Sequence, residues 1–414
     1  MLALFARYLV PTGVAALAGL CVLPGHAYAQ CQYEVTILQF PIDCGIGTVI
    51  TAGLSLNENG AVVGRYKCPI SKFDRPFLWT PQDGFTDLGL PPGVMGAIPT
   101  DINDGGVVCG TMYVSGVGYR GFVYEDGVWT ELPPVVDAVG AWSSAAAISN
   151  AGVVVGRRSV RVNTSPQNAY IWSAEQGFTD LTILGDNSAA TAMNGTRVVG
   201  WRAHAGQEKE GFLWEDGNVT LLGSIPGGFT SSASAVNGFG TIAGSGRIRM
   251  DGFPVGATRA FLWERGEFTM LGTLPDHALS GVGDISDLRI VVGISGNVDG
   301  NPNISDGFIW RSGLMTNLND LVPLDPSILI QNATAIGNSG QIVANGHDPK
   351  SDVVAFLLTP IQPLGDLDRD CTVGINDLLL LLQQWGMTNS PADLNGDGTV
   401  GILDLLILLA NWGS

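Results

Sequence analysis

The sequence predicts an all-β chain: a seven-bladed β-propeller closed by an N-terminal strand and followed by a small α module. Three observations carry this. One aromatic-apolar block recurs seven times at intervals of 42 to 49 residues. A hairpin signature precedes each copy. Beyond residue 362 the text changes to two copies of a short acidic loop, each followed by a leucine-rich run.

The recurrent block reads "PFLW" (76–79), "GFVY" (121–124), "AYIW" (169–172), "GFLW" (211–214), "AFLW" (260–263), "GFIW" (307–310) and "AFLL" (355–358). Before each stands an Asn/Asp/Gly turn between an apolar residue and a β-branched run, as in "LNENGAVVG" (56–64) and "INDGGVVCG" (102–110). That is a hairpin signal. After a Gly turn comes an apolar-Thr-x-Leu segment, as in "FTDL" (85–88) and "WTEL" (129–132). Each unit thus holds four short strands, a to d. Four strands in roughly 40 to 50 residues, repeated, is propeller arithmetic.

The ends of the array distinguish a ring from the rival open solenoid. The seventh unit stops at "AFLLTPIQPLG" with no strand d, whereas "VTIL" (35–38) is a strand d with no strand c before it. Placing Val35–Leu38 beside the seventh strand c closes a ring and hides two edges. A solenoid would instead need capping repeats.

The aromatics Phe77, Phe122, Tyr170, Phe212, Phe261, Phe308 and Phe356 occupy one phase of every strand c. Core packing between sheets is the expected role. Trp79, Trp172, Trp214, Trp263 and Trp310, two residues on, share that side. Connections b–c and d–a are long and variable and lie at the same end of every blade, the usual place for binding on a rigid scaffold. That end gathers Arg65, Lys67, Lys72, Arg75, Arg157, Arg158, Arg161, Arg247, Arg249 and Arg259. Ordinary solvated loops account for this, and so does a site for an anionic or sugar-like ligand.

Over residues 33 to 358, the Asn-x-x-Gly turn, the Val-Val-Gly run and the Phe-Leu-Trp block resemble the HAF-type extracellular repeats of secreted bacterial proteins. The resemblance implies architecture and location, not an activity. The histidine that gives those repeats their name is absent; Arg75, Arg120, Asn168, Glu210, Arg259, Asp306 and Val354 stand in its place.

The 414-residue chain carries 57 Gly, 45% hydrophobic and 14% charged residues, with a net charge of −18 and a pI near 4.4. Such acidity argues against nucleic acid, which needs a basic footprint. Residues 1–29 read as a signal peptide: Arg7, an apolar stretch, then "AYA". An uncleaved anchor is the alternative, but Pro11 and Pro24 bracket a stretch shorter than the ~20 residues of a comfortable span. No membrane span is expected after cleavage, and "YAQ" before Cys31 is a poor lipid-attachment signal. Five cysteines remain, so one thiol is left over. Cys31–Cys44 is one candidate local bridge among several pairings. Without a C-x-x-C pair, zinc is unsupported.

In the tail, "DLDRDCTVGIND" (366–377) and "DLNGDGTVGILD" (393–404) place oxygens at positions 1, 3, 5, 7 and 12, the spacing of an EF-hand-type calcium loop. Two calcium ions are expected. The candidate ligands are Asp366, Asp368, Asp370, the Thr372 carbonyl and Asp377, then Asp393, Asn395, Asp397, the Thr399 carbonyl and Asp404. The proline-containing "TPIQPLG" and "MTNSPA" cannot form entering helices. "NDLLLLLQQWG" (376–386) and "LDLLILLANWG" (403–413) are exiting helices.

A loop and exiting helix, duplicated, with Asp at position 12, is similar to a type I dockerin across residues 365 to 413. This implies a cohesin-like or other cell-surface protein as partner, with Ile375, Asn376, Ile402 and Leu403 at the loop positions that help choose it. They differ from the small hydroxyl pairs common in that family. Cys371 also stands where Gly is expected, which implies a strained or weaker first loop.

The expected organisation is a signal peptide (1–29), a seven-repeat propeller (30–361) and a dockerin-like domain (362–414). His204, His277 and His347 fall in no metal or triad motif, and no catalytic residue is assigned. The expected function is a secreted or cell-surface, non-catalytic binding or scaffold protein with a possible glycan ligand. A polysaccharide hydrolase acting on the propeller loop face is the alternative, since paired carboxylates converge in space rather than in sequence.

Overall fold

The computed structural model describes residues 31–38, 49–69, 71–134, 140–159, 167–185, 187–204, 208–250, 253–297, 305–322, 327–350 and 352–413. The expected signal peptide, Cys44 and Arg161 lie outside them. Residues 31–362 form one compact unit, and the described residues from Pro363 onward belong to a second.

The larger unit consists of seven four-stranded antiparallel sheets. Blade 1 shows the plan: strand a, Ile50–Leu56; b, Val62–Lys67; c, Arg75–Thr80; d, Gly84–Asp87. In blade 7, Leu329–Ile336, Ile342–His347 and Val353–Pro360 supply a, b and c, and Tyr33–Leu38 supplies d. That strand runs two residues beyond its sequence signature, with Val35 opposite Leu358 and Leu38 opposite Ala355. Each strand a also touches the strand a of the next blade, and the seventh returns to the first. The ring is closed.

The repeat motif follows from packing. All seven strand-c aromatics are fully buried. In six blades the aromatic lies opposite the glycine of the Val-Val-Gly run, as Phe77 does opposite Gly64. A Cβ on Gly64 would meet the Ala52 carbonyl at 2.2 Å and the Phe77 ring at 2.5 Å. The glycine thus makes room for the ring, whose burial is worth roughly 1.5–3 kcal/mol. The paired valines serve both sides of the sheet. Val62 packs toward blade 7 and Val63 toward blade 2. A strand buried on both faces shows no polar alternation.

The Asn turns lace neighbouring blades together. The Asn57 amide accepts N–H groups of its own turn from Asn59 and Ala61, and donates to the Asn103 carbonyl of blade 2. Asn103 repeats this toward Ser149, and Asn237 toward Ser286.

A hydroxyl clamp marks five junctions. Ser143, Ser188, Ser231 and Ser280 each accept a strand-c N–H of the preceding blade at 2.8 to 3.0 Å. Thr51 does the same across the closure, taking the Ala355 N–H at 3.0 Å and donating to the Leu38 carbonyl at 3.2 Å. Blade 7, completed by a strand from the other end of the chain, therefore docks on blade 1 as contiguous blades dock on each other.

Every strand a carries a register shift at the same place. The residue after it is Ser55, Asp101, Ala147, Ala192, Ala235, Asp284 or Ala335. The two aspartates interrupt a ring of small residues. Asp101 accepts the Ser55 hydroxyl of blade 1 (2.7 Å) and the Ile148 N–H of blade 3 (2.9 Å). Asp284 accepts the N–H groups of Ile336 (3.0 Å) and Ile285 (2.8 Å). Burial pushes Asp101 up to about 6. Asp284 rises to about 7, from burial first and then from the charges of Asp101 and Glu58.

Cys31, Cys68 and Cys371 are each half of a disulfide, and Cys109 is a buried free thiol.

Candidate functional site

The tail unit is built by two-fold repetition. Helices α1 (Ile375–Gln383) and α2 (Ile402–Ala410) each follow an acidic loop. They end three residues before the sequence suggests, and no helix precedes either loop. Ala392 joins the buried core, and its remaining members are Val373, Leu381, Val400 and Leu408, flanked by Leu367, Leu378, Leu394 and Leu405. Position 365, the counterpart of Ala392, is Gly. The other eight are paired by the repeat, each with its counterpart 27 residues away. A reciprocal clasp joins the halves: the Gly386 N–H donates to the Val400 carbonyl, and the Gly413 N–H to the Val373 carbonyl, both at 2.9 Å.

The last aspartate of each loop organises it. Asp377 is buried and accepts the N–H groups of Leu367, Asp368 and Gly374 at 2.6 to 3.0 Å. Asp404 takes those of Asn395 (3.0 Å) and Gly401 (2.7 Å). One carboxylate thus folds the loop back and caps the helix that follows. Burial alone would raise Asp404, but the backbone N–H groups of Gly401, Asn395 and Leu394 outweigh it and hold the carboxyl below its ordinary value.

In the first loop, Asp366, Asp368 and Asp370 each bring an oxygen within 4.8 Å of the others. Burial, then the neighbouring carboxylates Asp377, Asp370 and Asp368, push Asp366 up to about 6, against the Cys371 N–H. Burial and the charges of Asp370 and Asp377 likewise raise Asp368. In the second loop, Asp393 keeps one oxygen, Oδ1, buried without a hydrogen-bond partner, while Oδ2 accepts the Gly398 N–H. Mutually repelling carboxylates in one loop and an orphaned carboxylate oxygen in the other are what a hard cation with oxygen ligands would satisfy. The residues fit calcium. Asp377 and Asp404 contribute to the fold as well, through their N–H contacts.

The two loops differ at two turn positions. Position 4 is Arg369 (φ 60°) in the first and Gly396 (φ 71°) in the second; position 6 is Cys371 (φ 69°) against Gly398 (φ 96°). A left-handed conformation costs an L-residue about 1–2 kcal/mol. The sequence pointed to Cys371; the strain extends to Arg369.

Ile375, Asn376, Ile402 and Leu403, the expected partner-contacting positions, are all exposed. A longer stripe continues from the two isoleucines: Leu379, Leu382 and Trp385 on α1 and just past it, then Leu406, Leu409 and Trp412 on the second copy. Each is between 46% and 55% exposed.

On the propeller, several basic loop-end residues are engaged locally, and Arg158 both holds a carboxylate and lies 4.0 Å over the Phe178 ring. Arg65, Arg75 and Arg158 hold Asp74, Asp87 and Asp180 at 2.8 to 3.1 Å, and Arg259 donates to the carbonyls of Thr258 and Ala278. Others lie over aromatic rings: Arg157 over Trp142 (5.5 Å), Arg249 over Phe229 (5.5 Å) and Lys209, absent from the sequence-based set, over Trp201 (3.9 Å).

No protein-family model and no curated protein matches this sequence. Among solved structures the chain is similar to the β-propeller domain of the Trilobed protease from Pyrococcus furiosus, at 11% identity and TM-score 0.48, over 74% of this chain and 95% of that one. It is similar to YCF48 bound to D1 peptide, at 11% identity and TM-score 0.45, over 81% and 98%. A mutant of AofleA from Arthrobotrys oligospora gives 11% identity and TM-score 0.38, over 69% and 88%. These likenesses concern fold alone, and the seven-bladed ring stands on its own strand order.

Proposed function

We propose that the protein is a secreted or cell-surface binding scaffold of the HAF-repeat type. The propeller holds a ligand at its b–c and d–a loop end. The tail is a dockerin-like module, ordered by two calcium ions, that attaches the chain to a protein partner. The attachment reading rests above all on the duplicated apolar stripe. Ile375, Leu379, Leu382 and Trp385 recur as Ile402, Leu406, Leu409 and Trp412, and all eight stay exposed although the same helices bury Leu381 and Leu408. Matching apolar stripes left in water by a small unit suit docking. Calcium would be held by Asp366, Asp368, Asp370, the Thr372 carbonyl and Asp377 in the first loop and by Asp393, Asn395, Asp397, the Thr399 carbonyl and Asp404 in the second. It would supply the positive charge that lets these oxygens converge.

The test presents the full chain, in calcium and in chelator, to immobilised cohesin modules and to a bacterial cell-envelope fraction. Capture is expected in calcium only, and loss of capture in the double variant Leu379→Asp, Leu406→Asp. No capture on either surface in calcium, or capture indifferent to both calcium and the double variant, refutes attachment through the tail.

A further inference from the structure

The cations of the propeller are of two kinds, those that hold a carboxylate and those that do not. Seven arginines hold a carboxylate at 2.8 to 3.1 Å. Among the described residues, Lys67, Lys72, Arg249 and Arg265 have no such partner. Nor do Arg157, Lys209 and Arg247. They belong to three successive blades and lie at the same loop end: Arg157 and Arg247 on strand b of blades 3 and 5, Lys209 just before strand c of blade 4. All three are exposed.

Lys209 feels the other two cations. The Lys209 ammonium is pushed below its ordinary pKa by burial first, then by Arg157 and Arg247. Burial lowers Arg157 as well. Gathering like charges without a counterion is unfavourable, and an anion placed among them relieves it. Trp142 and Trp201 seat Arg157 and Lys209 against indole faces. Such stacking uses the ring face and leaves N–H donors free for oxygen acceptors, which a guanidinium can engage in pairs.

We propose that Arg157, Lys209 and Arg247 form a binding arc for an anionic polysaccharide, its charge carried by carboxylate or sulfate groups. This rests on the reading of the propeller as a ligand-binding scaffold and assigns that ligand a class. Three cations on three blades match a polymer with charges along its length better than a single small anion. Nucleic acid is disfavoured by the net charge of −18.

The test is affinity electrophoresis and calorimetry on the full chain in calcium. The probes are hyaluronan (carboxylate), dextran sulfate (sulfate) and neutral dextran. Retardation by one or both acidic polymers, weakened by salt, is expected, and the polymer that binds identifies the charged group. The triple variant Arg157→Gln, Lys209→Gln, Arg247→Gln should lose affinity by about tenfold or more. The single variant Lys209→Gln should lose part of it, and serves alone if the triple does not fold. Retardation by neither acidic polymer, or undiminished binding by a folded variant, overturns the arc. Neutral dextran binding that the variants leave intact overturns the arc too, while the scaffold reading stands.

Discussion

The propeller and the tail are both made by repetition, yet opposite forces hold them. In the ring, each copy buries apolar surface on its neighbours: Val62 faces one blade and Val63 the next, and a phenyl or phenol ring seals each strand c. In the tail, two copies share a core of only a few residues. Each carries an acidic loop, and in the first Asp366, Asp368 and Asp370 bring oxygens within 4.8 Å of one another. Two such charges about 4 Å apart repel by roughly 4 kcal/mol at an effective dielectric near 20. That is comparable with the net stability of a unit of about 50 residues. Seven copies bury one another, whereas the two copies of the tail gather like charges, which is why calcium is proposed to order them.

The largest effect that would break the contrast comes from opening the ring. Deleting residues 30–38 removes strand d of blade 7, the buried Leu38 and the carbonyl that Thr51 holds. The exposed edge of Val353–Pro360 should promote aggregation and abolish cooperative melting. A monomeric deletion variant with an unchanged melting profile, by size exclusion and calorimetry, would contradict closure as the source of the ring's stability.

A smaller effect separates the two loops of the tail. Under the proposed ordering by calcium, folding and metal binding are one equilibrium, and left-handed strain at Arg369 and Cys371 should weaken the first site. The second site should be the tighter one, and Asp393→Ala should cost more calcium affinity than Asp366→Ala. Arg369→Gly should tighten the first site by about fivefold, the equivalent of ~1 kcal/mol. Titration calorimetry on the full chain reads both sites, and the reverse order of the two alanine variants would refute the ranking.

A finer effect concerns the ring's own acids. Asp101 at about 6 and Asp284 at about 7 lie above the ~3.9 of an unfolded aspartate. Each binds its proton more tightly when folded. The stability this contributes is complete below about pH 4 and is lost as pH rises through 6 and 7. The propeller's melting temperature should carry this decline between about pH 4 and pH 7, and Asp284→Asn should flatten it. An equal slope in the variant would show that Asp284 ionisation does not load the ring.

Much of this was legible in the sequence because repetition exposes it. Seven copies of the Phe-Leu-Trp block set the blade number. The unmatched "VTIL" pointed to closure, and the acidic spacing in the tail pointed to the loops. What escaped notice depends on contacts between distant residues. Ser143 looks like any strand serine until its hydroxyl meets the Gly121 N–H. Asp101 and Asp284 stand beside turn sequences and read as turn acids, although their carboxylates reach neighbouring blades. Arg65 and Arg157 look alike in sequence; one finds Asp74 and the other an indole. The leucine runs conceal which side chains face inward, and only the folded pair shows Leu381 and Leu408 buried with Leu379 and Leu406 exposed.

The contrast between a self-sufficient ring and a cation-dependent tail is tested most directly by hydrogen exchange, read by mass spectrometry on the full chain with calcium and with chelator. In chelator, the amides of α1 and α2 and of the Gly386–Val400 and Gly413–Val373 clasp should lose their protection, while those of the seven sheets stay protected. Tail amides that remain protected in chelator, or sheets that lose protection along with them, would contradict the account.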